Sequence, residues 1–201
     1  MIVYVESNFI LEIALGQEQS ASAETILQFA EAHSIELAFP GFALSEPFAT
    51  LTHRGKEQLK MSKSLSEMLR QLQRSSPHQQ TVTELASAPA LLGSIARKET
   101  DRLQETVRRL LDCGIYLQMD GTSFSAALAY QSRFGLSPQD SIIYATVIAD
   151  LQRRASQGDK CFISRNWKDF RDPDILAELR SYHCSFAESF DEGLARITAQ
   201  P

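Results

Sequence analysis

The sequence lacks any motif that would pair or cluster its cysteines. Cys113, Cys161 and Cys184 form neither a CxxC pair nor a Cys/His cluster at zinc-site spacing. They stand mostly in apolar surroundings, which indicates buried free thiols in a reducing compartment. We therefore expect neither a disulfide framework nor a structural zinc site.

Glycine-rich phosphate loops and long apolar runs are also missing. Neither GxGxxG nor GxxxxGK[ST] occurs, so nucleotide binding by such a loop is not expected. No apolar stretch approaches the roughly 20 residues that span a bilayer. The N-terminus has no basic region followed by an apolar run, so no signal peptide is predicted. These absences predict a protein with no membrane segment, located in the cytoplasm.

Positive charge is in short supply. The formal net charge is -5, which argues against a protein that coats nucleic acid through overall positive charge. A local basic strip remains compatible with that balance. Hydrophobic residues make up 43% and charged residues 22% of the 201 positions, as in an ordinary globular protein with one core.

What the sequence does contain is an alternation of short apolar strands with helical patterns. Such alternation is typical of parallel βαβ units, and it predicts a three-layer α/β domain with helices on both faces of a parallel sheet. Residues 55–111 differ, because they show long helical patterns with little β character. We interpret the chain as a single domain, residues 1–201, with a helical insertion at 55–111. The predicted strands lie within 1–7, 35–41, 114–120, 160–164 and 184–189.

Several helix ends can also be predicted. Gly16 should end the first helix, and Ser20 or Ser22 should cap the second. Pro47 must lie in the first turn of the third helix or kink it. Ser137 is the expected N-cap of a later helix, with the following proline at its first position.

Acidic and polar residues follow the ends of several predicted strands. Ligands of open parallel sheets bind beyond the carboxyl ends of the strands, so these side chains are expected to meet at one edge. Grouped carboxylates repel one another, and a hard divalent cation such as Mg²⁺ relieves that repulsion. A metal can also lower the pKa of a water that attacks a phosphodiester. The residues concerned are Glu6, Ser7, Asn8, Glu46, Asp140, Ser164, Asn166 and Asp169.

Each acid also has a simpler structural interpretation. Glu6 can be a solvated strand end, and Glu46 and Asp140 can stabilise helix N-termini. Asp169 can cap the turn before Phe170, which is expected to pack in the core. Only the joint placement of the four acids favours a catalytic site over these roles.

Three segments resemble the PIN-domain ribonucleases, a family that includes the toxins of many bacterial toxin–antitoxin pairs. They are "VYVESNFILE", "LSPQDSIIYATVIA" and "FISRNWKDF", with a looser match in "ALSEPFATL". The resemblance covers about residues 1–53 and 114–190 and leaves the helical middle unmatched. Glu6 stands where the family normally has Asp, and Asn166 where some members have an additional Asp.

The resemblance implies a metal-dependent endoribonuclease that uses Mg²⁺ or Mn²⁺. By position, Glu6, Glu46, Asp140 and Asp169 would be the catalytic, metal-binding acids, and Asn166 a further ligand. The hydroxyl and amide groups of Ser7, Asn8 and Ser164 would orient those ligands. The family also suggests a homodimer and an antitoxin-like protein partner.

RNA contact needs cations, because phosphate contacts supply most non-specific affinity. The segment from His53 to Arg74 has an excess of positive charge, whereas the basic residues from Arg97 to Arg109 are interleaved with acids. Trp167 can stack on a base, although partial burial is more frequent for such a residue. The predicted RNA-binding residues are Arg54, Lys56, Lys60, Lys63 and Arg165.

Two alternatives stay open. Glu6 and Asn166 favour a catalytically impaired PIN-like domain that acts as an RNA-binding or protein-interaction scaffold. A metal-dependent phosphatase of similar layout is the other alternative. That enzyme would need a nucleophilic Asp at the end of the first strand, and Glu6 in that place counts against it.

Overall fold

The sheet of the computed structural model, which describes residues 1–199, has five parallel strands. Its spatial order is β3-β2-β1-β4-β5, with β1 in the centre. All five predicted strands are found, so the predicted parallel α/β sheet is confirmed. The strands are β1 Ile2–Tyr4, β2 Glu36–Pro40, β3 Ile115–Leu117, β4 Lys160–Ile163 and β5 Cys184–Ala187.

Helices connect the strands and cover both faces of the sheet. Two short 3₁₀ turns, Gly41–Leu44 and Ser76–His78, precede α3 and α4 respectively. The helices are α1 Ser7–Leu15, α2 Ser20–Glu31, α3 Ser45–Leu72, α4 Gln79–Leu85, α5 Ala88–Cys113, α6 Gly121–Phe134, α7 Pro138–Arg153, α8 Trp167–Phe170, α9 Pro173–Ser181 and α10 Phe190–Thr198.

Side chains of the central strand pack in two separate cores, one on each face of the sheet, because successive side chains of a strand point to opposite faces. Val3 packs in the cluster that contains Phe9 of α1 and Leu110 of α5. Tyr4 packs in the cluster that contains Tyr144 of α7 and Phe162 of β4. These clusters form the interfaces of a three-layer arrangement, as the strand and helix pattern predicts. Phe170 is fully buried in the second cluster, which confirms its expected place in the core.

Most of the predicted helix ends are confirmed. Gly16 ends α1 in the left-handed conformation, with φ of 62°, which glycine adopts without a steric penalty. Ser137 caps α7 by accepting the backbone N–H of Asp140. Pro47 is buried in the first turn of α3.

The predicted N-cap of α2 is wrong. The cap position is Gln19, which makes no side-chain capping bond. Its side-chain carbonyl instead accepts the N–H of Phe190 at 2.7 Å, and Ser22 donates to Asp191 Oδ1 at 2.5 Å. These side chains tie α2 to α10, so tertiary contacts outweigh the local capping preference.

The helical segment 55–111 continues directly from the α/β core. It begins inside α3, which runs unbroken through Gly55, and it ends inside α5. Arg54 pairs with Glu99, and Ser62 donates to Pro89 O at 2.8 Å, so the two helices run antiparallel. The helical pattern of this segment is interrupted, because α4 stops at Leu85 and α5 begins only at Ala88.

Two further findings concern the missing motifs. Cys113, Cys161 and Cys184 are free thiols, and the last two are buried. Across residues 1–199, no helix is both long and apolar enough to cross a membrane.

Candidate active site at the carboxyl edge of the sheet

Glu6 is the buried centre of the site. It follows β1 and occupies the N-cap of α1, with 4% of the residue exposed. Its Oε2 atom accepts the backbone N–H of Asn8 at 3.0 Å, and its Oε1 atom accepts the Ser164 hydroxyl at 3.0 Å. Burial raises the pKa of the Glu6 carboxyl, and the hydrogen bonds from Asn8, Ser7 and Ser164 oppose that rise.

Ser7 joins Glu6 to a second carboxylate. Its Oγ atom lies 2.8 Å from Glu6 Oε2 and 2.5 Å from Glu46 Oε2. Glu46 reaches this point because α3 starts at the carboxyl end of β2, after the turn at Gly41–Leu44. A hydroxyl carries one hydrogen, so it can donate to only one of these oxygens at a time.

Ser164 and Asn166 extend the contacts to a third carboxylate. Ser164 follows β4, is fully buried, and accepts the backbone N–H of Asn166 at 3.0 Å. The Asn166 side-chain amide donates to Asp140 Oδ1 at 3.0 Å. The other Asp140 oxygen, Oδ2, accepts the Ser137 hydroxyl at 2.5 Å.

These contacts form one continuous carboxylate chain, which we define as Glu46, Ser7, Glu6, Ser164, Asn166 and Asp140. Among the predicted site residues, Asn8 donates its backbone N–H to Glu6, and its side chain is not part of the carboxylate chain. Asp169 does not join it either: it lies exposed in α8, and its own backbone N–H donates to Asn166 O at 3.1 Å. The structure therefore connects three of the four predicted acids, Glu6, Glu46 and Asp140, through hydrogen bonds of Ser7, Ser164 and Asn166.

In the part of the protein that the structure describes, no Lys or Arg forms an ion pair with this carboxylate chain. Within residues 1–199, every ion pair to a Lys or Arg uses other acids, such as Glu12, Glu99 and Asp150. The Glu6 and Glu46 oxygens that contact Ser7 both lie within 2.8 Å of its Oγ atom. Two neighbouring carboxylates without a cationic partner attract a cation from solution.

The carboxylates of this site suit a hard divalent cation, provided that the ion needs only one or two protein ligands. In the described part of the chain, no group of three or more His, Cys, Asp or Glu side chains could hold a metal ion. Mg²⁺ is commonly bound through only one or two carboxylates, with waters and substrate phosphates as the other ligands. The residues that fit this pattern are Glu6 and Glu46.

Arg165 has a structural contact that the sequence analysis missed. Its guanidinium is paired with the fully buried Glu12 of α1 and lies 3.1 Å from Glu18. The bond to Glu12 raises the pKa of Arg165 above its usual value. Because Arg165 stands between Ser164 and Asn166, this pair fixes the β4–α8 segment against α1. The predicted RNA contact by Arg165 is disfavoured by these two partners.

One sequence feature could have indicated the Arg165–Glu12 pair, namely a charged residue inside the apolar helix α1. Glu12 is the one acid in the segment Ser7–Leu15, and it is completely buried. Its Oε1 atom also accepts the backbone N–H of Gln19 at 2.6 Å. A buried carboxylate needs a partner, so its position could have predicted a cation nearby.

The other predicted RNA-binding residues lie on α3. Arg54 is half-exposed and makes a bidentate pair with Glu99 at 3.1 Å. Lys56, Lys60 and Lys63 are exposed. A helix rises about 1.5 Å per residue, so Lys56 lies about 15 Å along the axis from Glu46. These four residues, Arg54, Lys56, Lys60 and Lys63, form the basic strip of α3. The strip therefore extends away from the carboxylate chain rather than surrounding it.

A parallel α/β sheet with carboxylates at its carboxyl edge defines the class of this protein. The PIN domain family profile matches residues 3–170, which takes in most of β1, the whole carboxylate chain and α8. The chain belongs to the PIN domain family, a family of nucleases.

Two other comparisons add little. No curated protein matches the chain. The crystal structure of VapBC2 from Rickettsia felis, bound to a DNA fragment from their promoter, is similar over 93% of this chain and 98% of that chain. Its sequence is 12% identical and its TM-score is 0.43, a level of likeness from which nothing about partners follows.

Proposed function

We propose that this protein is a metal-dependent endoribonuclease that hydrolyses RNA phosphodiester bonds at the carboxylate chain. The observation that carries the proposal is the hydrogen-bonded link between Glu6, Glu46 and Asp140, from three separate segments, with no Lys or Arg ion pair to them among residues 1–199. Membership of the PIN domain family supports the same reaction class.

The protein's own residues would hold and orient the reacting groups. Glu6 and Glu46 would bind Mg²⁺ or Mn²⁺, which when bound supplies positive charge and lowers the pKa of a water. Ser7 and Ser164 hold the Glu6 carboxylate from both sides. Asn166 and Ser137 hold Asp140 by one oxygen each, which leaves that carboxylate oriented at the edge of the sheet.

The test is cleavage of a mixed-sequence single-stranded RNA with Mg²⁺ or Mn²⁺, beside EDTA. Cleavage should vanish in EDTA and in Asp140→Asn. Asp169→Asn is the matched control, since it makes the same chemical change in an exposed acid outside the carboxylate chain, and it should retain most activity. Absence of cleavage by folded protein with both metals would contradict the proposal.

A scaffold without catalysis is the second candidate, and one observation favours it. Both oxygens of the buried Glu6 are engaged by protein hydrogen bonds, so a metal would have to replace contacts that are already satisfied. The exposed Met61, Met68 and Leu91 of the helical segment would then be candidates for a protein contact. RNA binding without metal-dependent cleavage would favour this function.

The family resemblance extends the proposal to location and assembly. We propose a cytoplasmic protein that forms a homodimer and is blocked by an antitoxin-like protein partner. The molar mass in solution, measured by light scattering, tests the homodimer directly: a value of 22.5 kDa would contradict it.

A further inference from the structure

An exposed tryptophan stands directly beside the carboxylate chain. Trp167 follows Asn166, whose side chain donates to Asp140 Oδ1 at 3.0 Å. The sequence favours partial burial for this residue, and the structure agrees, with 39% of it still exposed. An aromatic surface is therefore open to solvent one residue away from the predicted reaction site.

The local structure holds this tryptophan in place. Phe170, at the other end of α8, is fully buried against Phe162 and Tyr144. The N–H of Arg171 donates to Trp167 O at 2.9 Å, which closes the turn. A ring on an anchored turn loses little conformational freedom when a ligand binds, and this favours affinity.

Two cations flank the ring. Lys168 Nζ lies 5.8 Å and Arg171 Cζ 5.9 Å from the Trp167 ring centroid. Arg171 also pairs with Glu188 at 3.2 Å, with 60% of its side chain still exposed. Aromatic faces with nearby cations are the combination that binds single-stranded nucleic acid.

Asp169 indicates whether aromatic stacking or positive charge contributes more to RNA binding at this surface. This exposed acid stands between the two cations in sequence, and its charge disfavours a phosphate directly over α8. The aromatic face must therefore supply more of the contact than the cations do. Binding through this surface should depend less on salt than binding through the basic strip of α3.

We propose that Trp167, with Lys168 and Arg171 beside it, is a stacking platform for one unpaired base of the RNA substrate. The base would lie on the exposed indole, with its neighbouring phosphodiester at the carboxylate chain. This inference rests on the proposed function, which supplies RNA as the ligand. Every base has a π face, so the platform selects unpaired over paired RNA and not one sequence over another.

The experiment uses the fact that Trp167 is the single tryptophan of the sequence. A single-stranded RNA oligonucleotide is titrated into the full-length protein in EDTA, where binding is measured without cleavage. Tryptophan emission should be quenched to saturation by the single strand, and much less by a duplex of the same sequence.

Variants then measure the contribution of the ring, by the anisotropy of a labelled single strand. Trp167→Ala should weaken binding by about 5- to 150-fold, the range for loss of one stacked base. Trp167→Phe should recover part of that loss. Phe124→Ala is the matched control, because Phe124 is an aromatic residue of α6 with 46% exposure, and its removal should leave affinity unchanged.

The outcomes separate this inference from the proposed function. Emission that is unchanged at saturating RNA, or equal affinities of Trp167→Ala and Phe124→Ala, would overturn the platform. So would a wild-type protein that binds no RNA. Quenching and weakened binding of Trp167→Ala without any Mg²⁺- or Mn²⁺-dependent cleavage would keep the platform and refute the nuclease function.

Discussion

The α/β core buries its apolar side chains more completely than the outer arm does. We define the outer arm as residues 55–98. Around the carboxylate chain, Val5, Phe9 and Ile163 are fully buried. In the outer arm only Leu69 and Val82 are buried, and five large apolar side chains are exposed. Those side chains are Leu59, Met61, Met68, Leu85 and Leu91.

This difference in burial indicates that the α/β core is more rigid than the outer arm. A segment with few buried apolar contacts opens locally at a lower free energy than the core does. The core holds the acids, whereas the outer arm presents cations and apolar side chains to whatever approaches. We therefore expect substitutions in the arm to change binding, and those in the core to change stability.

The largest effect should come from comparing the two ends of α5. Leu110 is fully buried, and Leu91 is 58% exposed on the same helix. Leu110→Ala should lower the free energy of unfolding by about 2–5 kcal/mol, because it leaves a cavity. Leu91→Ala should change it by less than about 0.5 kcal/mol. Urea unfolding measures both, and equal losses would contradict the difference in packing.

A smaller effect is expected from the ion pairs of the two regions. Arg165→Ala leaves the buried Glu12 without its cation, and should destabilise by about 2–3 kcal/mol because Arg165 is partly exposed. Arg54→Ala breaks the pair with Glu99 that joins α3 to α5 at the base of the outer arm, and should cost less than about 1 kcal/mol. A loss for Arg54→Ala as large as that for Arg165→Ala would show that the arm is held as firmly as the core.

The smallest stability effect concerns the pH dependence that Glu6 gives to the core. Burial raises its pKa in the folded state, so the folded protein retains a proton that the unfolded chain loses above about pH 4.3. The contribution of Glu6 to stability is then complete below that pH and is lost as pH rises through the folded pKa.

Glu6→Gln should remove this dependence. The free energy of unfolding of the wild type, minus that of Glu6→Gln, should decrease between pH 4.5 and higher pH in urea titrations. Glu57→Gln, an exposed acid of the arm, should give a difference that stays constant with pH. A difference that grows with pH for Glu6→Gln would mean that its hydrogen bonds outweigh its burial.

The comparison also shows which features are readable from the sequence. Strands and helices of the core follow from apolar patterns, and Ser137 with Pro138 marks the start of α7. The place of Glu46 beside Glu6 follows from parallel strand order. These features depend on residues close together in sequence or on a general rule of parallel sheets.

The contacts that join the acids could not be predicted in the same way. The Ser7 hydroxyl meets Glu46 across 39 positions of sequence, and Asn166 meets Asp140 across 26. Such bonds depend on how far each helix advances over the sheet edge, which a pattern does not contain. The ion pair of Arg165 could not be predicted for the same reason, because its partner Glu12 lies 153 positions away.

Binding of Mn²⁺ to the metal-free protein, followed by electron paramagnetic resonance, tests the central claim most directly. The carboxylate chain predicts binding that Mg²⁺ displaces and that Glu46→Gln weakens by more than about tenfold. Glu99→Gln, a substitution of the same type at an acid already paired with Arg54, should bind Mn²⁺ as the wild type does. Equal affinity of the wild type and Glu46→Gln, or no binding by either, would contradict a metal site at these acids.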